Sequence, residues 1–207
     1  MDSNNNNTEK KIVICVSGAA DVAHCGPEVL ESARELGREV AEQGHVLTTG
    51  ATSGFPHASA LAYQEAKGYL SLGFSPATDE REHTDLYFLP LDGCDLIVYT
   101  GFGFPMRDII LTKSCDAMVV GCGRIGTIHE FTVAFESNIP VGILEGPWST
   151  DEVIRDIIRN SNRTNPKVIF DSNPKRIIER LAEMARENKD RRELGDVEMF
   201  QEIKAKV

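Results

Sequence analysis

The chain has 207 residues, 41% of them hydrophobic and 26% charged, which is enough apolar material for one sizeable domain with a core that needs neither disulfides nor metals. Its formal charge of -10 and pI near 5.0 exclude a general nucleic-acid or anionic-membrane surface, because either partner would be repelled over most of the exterior. Any phosphate ligand must therefore be held in a local pocket. Cys15, Cys25, Cys94, Cys115 and Cys122 form no CxxC pair, and Cys15 and Cys115 sit in apolar surroundings, which suits reduced core thiols; a zinc site is not expected. No signal-peptide pattern and no apolar run of membrane-spanning length is present, so the expectation is a cytoplasmic protein without a membrane partner.

Residues 1–10 are asparagine-rich and expected to be disordered. Ile12 to Val16 is a continuous apolar run suited to a central parallel strand, and Ser17-Gly18-Ala19-Ala20 follows it. A helix introduced by Pro27 carries Val29, Leu30, Ala33, Leu36, Val40 and Ala41 on one face and ends at Gly44. Val46 to Thr49 is a second strand, running into the small-residue turn Gly50-Ala51-Thr52-Ser53-Gly54 and a helix from about Pro56 to Ala66. Tyr69 to Phe74 reads as a third strand, and Thr78 to His83, charged and aperiodic, as a surface loop. Asp95 to Tyr99 is a fourth strand, followed by a helix in which Ile109, Ile110 and Cys115 face the sheet.

Ala117 to Val120 is a fifth strand, and it enters the most informative turn in the chain, Gly121-Cys122-Gly123-Arg124-Ile125-Gly126-Thr127. Its glycines permit close approach to a ligand, and the helix expected from about Thr127 offers free N–H groups and a positive dipole end to an anion. Val141 to Leu144, a helix over Asp151 to Arg159, Val168 to Phe170, and a helix opened by Ser172-Asn173-Pro174 complete the pattern. The last helix presents Ile177, Ile178, Leu181 and Met184. Residues 11–187 thus read as one domain, and 188–207 as a charged tail or loosely held helix. Strands alternating with helices at this spacing imply an α/β fold, a Rossmann-like doubly wound parallel sheet of about seven strands with helices on both faces. Ligands of such sheets bind beyond the carboxyl ends of the strands, where three small-residue turns converge: Ser17 to Ala20, Gly50 to Gly54 and Gly121 to Thr127. The first strand is not followed by GxGxxG and no glycine run by a Walker lysine, which disfavours ordinary NAD and ATP chemistry.

From about Lys11 to Glu183 the chain resembles the LOG family of cytokinin-activating phosphoribohydrolases and the wider SLOG group of Rossmann-like nucleotide-binding proteins. Cys122 to Glu130 matches that family's PGGxGTxxE motif, with Cys for Pro and Arg for the second Gly, and Glu130 falls at the catalytic glutamate. Arg107 stands 23 residues before Glu130, the family's separation between its arginine and its glutamate. The resemblance implies Arg107 and Glu130 as catalytic residues. It implies a phosphate or nucleotide site built from Ser17, Gly18, Gly50, Thr52, Ser53, Gly54, Gly121, Gly123, Arg124, Gly126 and Thr127. It further implies a homodimer acting on a nucleoside 5′-monophosphate or related phosphate ligand, with no metal and no organic cofactor. Asp108, where the sugar-hydrolysing members carry lysine, and Phe104-Pro105-Met106 resemble instead the branch of uncharacterised nucleotide-binding proteins or molybdenum cofactor carriers. The leading reading is an enzyme for N-glycosidic hydrolysis, a phosphoribohydrolase releasing base and ribose 5-phosphate; its alternative is non-catalytic binding of a nucleotide or molybdopterin-type ligand. Arg124 either pairs with the phosphate or fills the pocket mouth. Glu130 and Arg107 have their own bland alternative, a buried ion pair between two helices. His129, beside Glu130, is expected at the surface or partly buried.

Overall fold

A computed structural model describes residues 11–163 and 167–205, with side chains to Lys189. The segment before Lys11, expected to be disordered, lies outside the described residues. Seven strands form one all-parallel sheet: β1 (Val13–Ser17), β2 (Val46–Thr49), β3 (Ser71–Ser75), β4 (Leu96–Tyr99), β5 (Ala117–Val120), β6 (Val141–Leu144) and β7 (Val168–Asp171). The order is β4-β3-β2-β1-β5-β6-β7, so the chain winds one way from β1 and the other way from β5. The doubly wound Rossmann-like fold is therefore present, with its switch point between β1 and β5.

Period-two alternation divides the strands between two cores. Ile14 and Val16 of β1 and Ala117 and Val119 of β5 face α1 (Val29–Glu42), α2 (Phe55–Glu65) and α6 (Pro174–Ala205). Cys15, Met118 and Val120 face α3 (Gly103–Lys113), α4 (Ile125–Glu136) and α5 (Thr150–Asn160). Both faces of the central strands are buried, which is why their sequences are continuous apolar runs. The edge is different: Leu96 and Val98 of β4 are exposed. No helix among the described residues is long and apolar enough to cross a membrane.

Three local expectations differ from the structure. The third strand starts at Ser71 because Tyr69 stays outside, 68% exposed beneath the Lys11 ammonium, after a turn at Lys67 with φ 58°. The aperiodic stretch expected as a surface loop runs into a π-helical turn, Glu82–Leu86, organised by a buried histidine. His83 Nδ1 is 2.8 Å from Ser75 Oγ and Nε2 is 2.9 Å from the Pro90 carbonyl, so a residue that looked like a loop histidine is a core fastener. In α3, Leu111 and Thr112 are buried whereas Ile109 points outward, 38% exposed. The charged segment after Glu187 continues α6 to Ala205.

Phe55 is the joint that positions the loops at the carboxyl ends of β1, β2 and β5. It is fully buried, its N–H donates to the Ala19 carbonyl at 2.9 Å, and its ring stands edge-on to Trp148. A Cβ on Gly18 or Gly121 would come within 2.6 and 2.1 Å of that ring. These two glycines are thus needed for packing against Phe55. Gly121→Ala should lower stability by about 1–3 kcal/mol, the usual cost of overpacking a closed core. Adding Phe55→Leu should return part of it, so a double-mutant cycle in urea should give a coupling of at least about 0.5 kcal/mol; additive effects would contradict this account of Gly121.

Candidate functional site

At the switch point three loops are tied together by backbone hydrogen bonds, Gly121 N–H to the Ser17 carbonyl (3.0 Å), Ala19 N–H to the Cys122 carbonyl (2.7 Å) and Phe55 N–H to the Ala19 carbonyl. They enclose a cavity of about 390 Å³. Among the residues expected from sequence, Ser17, Gly18, Gly50, Thr52, Arg107, Arg124, Gly126, Thr127 and Glu130 line it, whereas Ser53, Gly54, Gly121 and Gly123 do not. Ser53 donates to the Ala20 carbonyl at 3.3 Å, and Gly54, with φ +72°, precedes α2 where a Cβ would strike the Ala19 and Ala20 carbonyls. Gly121 and Gly123 serve the loop from behind: a Cβ on Gly123 would lie 2.2 Å from Thr127 Oγ1. A Cβ on Gly126 would meet nothing within 4 Å among the described residues, so this glycine borders open cavity.

Helix α4 begins at Ile125, earlier than the periodicity indicated, with Arg124 extended before it and no side chain capping its first turn. Its first amide groups and dipole end thus remain available at a cavity lined by Ile125, Gly126 and Thr127. The loop leading in is braced by Thr150, which accepts from Gly123 N–H at 2.9 Å and donates to the Gly123 carbonyl at 3.1 Å. Nothing local in the sequence marks Thr150, since it reaches the loop from the start of α5, 27 residues on.

The cavity floor carries a buried charge cluster. Arg107, 4% exposed, places Nε 3.3 Å from Asp108 Oδ1 and Nη1 3.9 Å from Glu130 Oε1, and its Nε has no hydrogen-bond partner among the described residues. Coulombic contact is present, but the geometry leaves the Nε donor unbonded. Gly50 makes room for this side chain, because a Cβ there would lie 1.7 Å from Arg107 Nη1. Ser17 Oγ donates to Glu130 Oε2, and His129 Nδ1 is 3.0 Å from Asp108 Oδ2. Burial raises the Glu130 carboxyl to about 7, and Asp108 adds to this, against the opposing pull of Arg107 and the Ser17 hydrogen bond. Asp108 and His129, absent from the expected site, complete the network. Helix periodicity conceals their meeting, since it comes from α3 packing on α4.

The cysteine expectation is corrected in part. Cys25 and Cys122 form a disulfide across 97 residues, their Cα atoms 5.9 Å apart. The loops after β1 and β5 leave neighbouring strands at the same end of the sheet, which brings together residues with no telling spacing. Cys15, Cys94 and Cys115 are free, and Cys15 and Cys115 are buried as expected. The hydrogen bond with Cys115, and then burial, push the Cys15 thiol well above its ordinary range.

A Rossmann-like sheet with an uncapped glycine-turn helix and a buried arginine at its switch point defines a class of small-ligand binders. Residues 11–178 match the model of the SLOG cluster4 family, and the chain belongs to that family. It is 30% identical over 130 residues to an uncharacterized protein of Archaeoglobus fulgidus, covering 63% of this chain and 80% of that one. The molybdenum cofactor binding protein of Rippkaea orientalis superposes with a TM-score of 0.67 at 26% identity, covering 83% of this chain and 95% of that chain. The molybdenum cofactor carrier protein of Chlamydomonas reinhardtii gives 0.66 at 26% identity, covering 84% and 98%. DNA processing protein A of Streptococcus pneumoniae, 14% identical with a TM-score of 0.60 over 81% and 61%, shares the fold alone.

Because the folded state raises Glu130, it binds a proton there that the unfolded chain has already lost. The stability Glu130 contributes is present below its ordinary value of 4.5 and lost as pH rises through about 7. Urea unfolding across this window should show that decline, and Glu130→Gln should flatten it; an unchanged slope in the variant would contradict the assignment.

Proposed function

We propose that this protein binds a small organic ligand through its phosphate group, as a nucleotide or molybdopterin-type cofactor binder, and holds it without converting it. The observation that carries this reading is Arg107: a buried guanidinium, with an unbonded Nε, set in the floor of a cavity that also receives an uncapped helix N-terminus. A buried charged donor without a hydrogen bond is costly, and an anionic ligand would supply the missing acceptor. Ser17, Gly18, Thr52, Gly126 and Thr127 would surround the phosphate, with Arg124 at the mouth. The carrier reading is favoured over hydrolysis by Asp108, which places a negative charge beside Arg107, and by likeness to the two molybdenum cofactor proteins.

A second reading has one specific observation behind it. Glu130, raised to about 7, is poised between protonation states at neutral pH and sits in the same cavity, as a group assisting N-glycosidic cleavage of a nucleoside 5′-monophosphate would. Arg107 would then orient the substrate and Glu130 would stabilise the cationic sugar. We further propose a homodimer through α3 and α4, because Phe104, Met106 and Ile109 on the first and Ile125 on the second are exposed, Ile125 by 84%. A two-fold interface would need only this one face to be self-complementary. Three free thiols support a cytoplasmic setting, and the Cys25–Cys122 disulfide stands against it.

Thermal scans with adenosine monophosphate, inorganic phosphate and adenosine test the leading reading. The phosphate-bearing ligands should raise Tm, with about 2.7 kcal/mol of stabilisation at a hundredfold excess over Kd, and adenosine should not. Arg107→Lys, which keeps the charge but loses the planar fork, should weaken binding by roughly tenfold. No shift at millimolar concentrations would overturn the pocket. Release of free base from any monophosphate, abolished in Glu130→Gln, would replace the carrier with the hydrolase. Light scattering over a dilution series checks assembly: a mass fixed near 22.8 kDa would exclude the dimer.

A further inference from the structure

His24, Cys25 and Cys122 meet outside the cavity lining, joined to it by Arg124, whose Nε donates to His24. Their donor atoms lie within 4.8 Å of one another. His24 Nε2 stands 3.6 Å from Cys25 Sγ and 3.7 Å from Cys122 Sγ, so the imidazole caps the sulfur pair almost symmetrically. In a tetrahedral zinc site, with metal–sulfur bonds near 2.3 Å and metal–nitrogen bonds near 2.0–2.1 Å, nitrogen and sulfur ligands are roughly 3.5 Å apart. Two edges of such a ligand triangle are already set by the fold. Only the sulfur–sulfur edge is closed, by the disulfide, and it would have to open to roughly 3.8 Å. Cα atoms 5.9 Å apart allow this by side-chain rotation.

We propose that the reduced pair, with His24, is a binding site for one soft cation of the zinc or copper(I) class, and that the disulfide is its closed, metal-free form. Thiolate and imidazole donors select these ions over magnesium, calcium or manganese. Opening requires a dithiol reductant, which passes two electrons and two protons to the Cys25–Cys122 bond and itself becomes a disulfide. Each thiol then yields its proton as it binds the cation. Cys25 and Cys122 are fully buried and exclude water from the metal–sulfur bonds, while His24 is exposed and provides the way in. Three protein donors leave a fourth tetrahedral position for an external ligand. Motif reading misses this cluster because 97 residues separate its cysteines.

The site is coupled to the cavity through Arg124. Its Nε donates to His24 Nδ1 at 3.2 Å, and its Nη1 lies 3.4 Å from Asp21 Oδ2. A cation on Nε2 leaves the imidazole proton on Nδ1, which then can no longer accept from Arg124. Occupancy of the site would therefore release Arg124 from His24, leaving it to Asp21 or to the cavity mouth.

The test uses the full chain, reduced by a phosphine, exchanged without oxygen and titrated with cobalt(II), then zinc. Circular dichroism of the reduced protein should stay folded, and a thiol assay on samples then unfolded in denaturant should rise from three free cysteines to all five. One cobalt per chain should then bind with a thiolate-to-metal charge-transfer band that zinc abolishes. Cys122→Ser should lose the band, His24→Ala, which leaves the cysteines intact, should bind at least about tenfold more weakly, and the oxidised protein should bind none. The proposal is overturned by a folded protein that stays at three thiols, by reduced protein without the band, or by Cys122→Ser and His24→Ala both binding as the parent does. None of these readouts depends on the phosphate pocket.

Discussion

The site rests on the cost of burying a guanidinium. Arg107 lies almost wholly inside the protein beside two acidic groups, yet neither contact gives its Nε a hydrogen bond. Much of the surrounding structure answers to that charge. Gly50 lacks a side chain where Arg107 needs room, Ser17 steadies one carboxyl from the end of β1, and His129 steadies the other from α4. The acids are not equivalent: Asp108 adjoins the arginine, whereas burial and Asp108 together push Glu130 toward its neutral form. Arg107 beside Asp108 and Glu130 is a poor source of stability, since buried ion pairs barely repay their desolvation even when well bonded. In the proposed function, a ligand's anion would be the partner that neither acid gives to Arg107 Nε.

The topology explains why this charge can be placed there. Parallel strands that diverge at β1 and β5 leave a crevice that no side chain of the core fills, and the loops from three strands fold over it. Phe55 sets the depth of the crevice from behind, and Thr150 fixes the turn before α4. The loops after β1 and β5 are also joined by the Cys25–Cys122 disulfide, outside the cavity lining.

Much of this was legible from residues alone, for a physical reason. Strands buried on both faces, such as Ile12 to Val16 and Ala117 to Val120, are apolar throughout, and a glycine turn before an amphipathic helix has few other uses. Arg107 and Glu130 could be paired only through the family resemblance. The glycine turn misled in one respect: only Gly126 of its three glycines lines the cavity, whereas Gly121 and Gly123 are small to admit Phe55 and Thr127. What stayed hidden depended on distant segments meeting. Asp108 with His129, His83 with Ser75, Thr150 with Gly123, and Cys25 with Cys122 are contacts between elements whose order in space is not written in any local spacing. His83 shows the same limit from the other side, since a charged aperiodic stretch gives no sign that one of its residues is buried.

The central claim, that Arg107 is kept available for a ligand's anion, is tested most directly by a crystal structure grown with adenosine monophosphate. The account predicts the phosphate on the first-turn amides of α4, with at least one Arg107 nitrogen hydrogen-bonded to the ligand. A nucleotide bound elsewhere, or one seated in the cavity while Arg107 bonds only to Asp108 and Glu130, would contradict it.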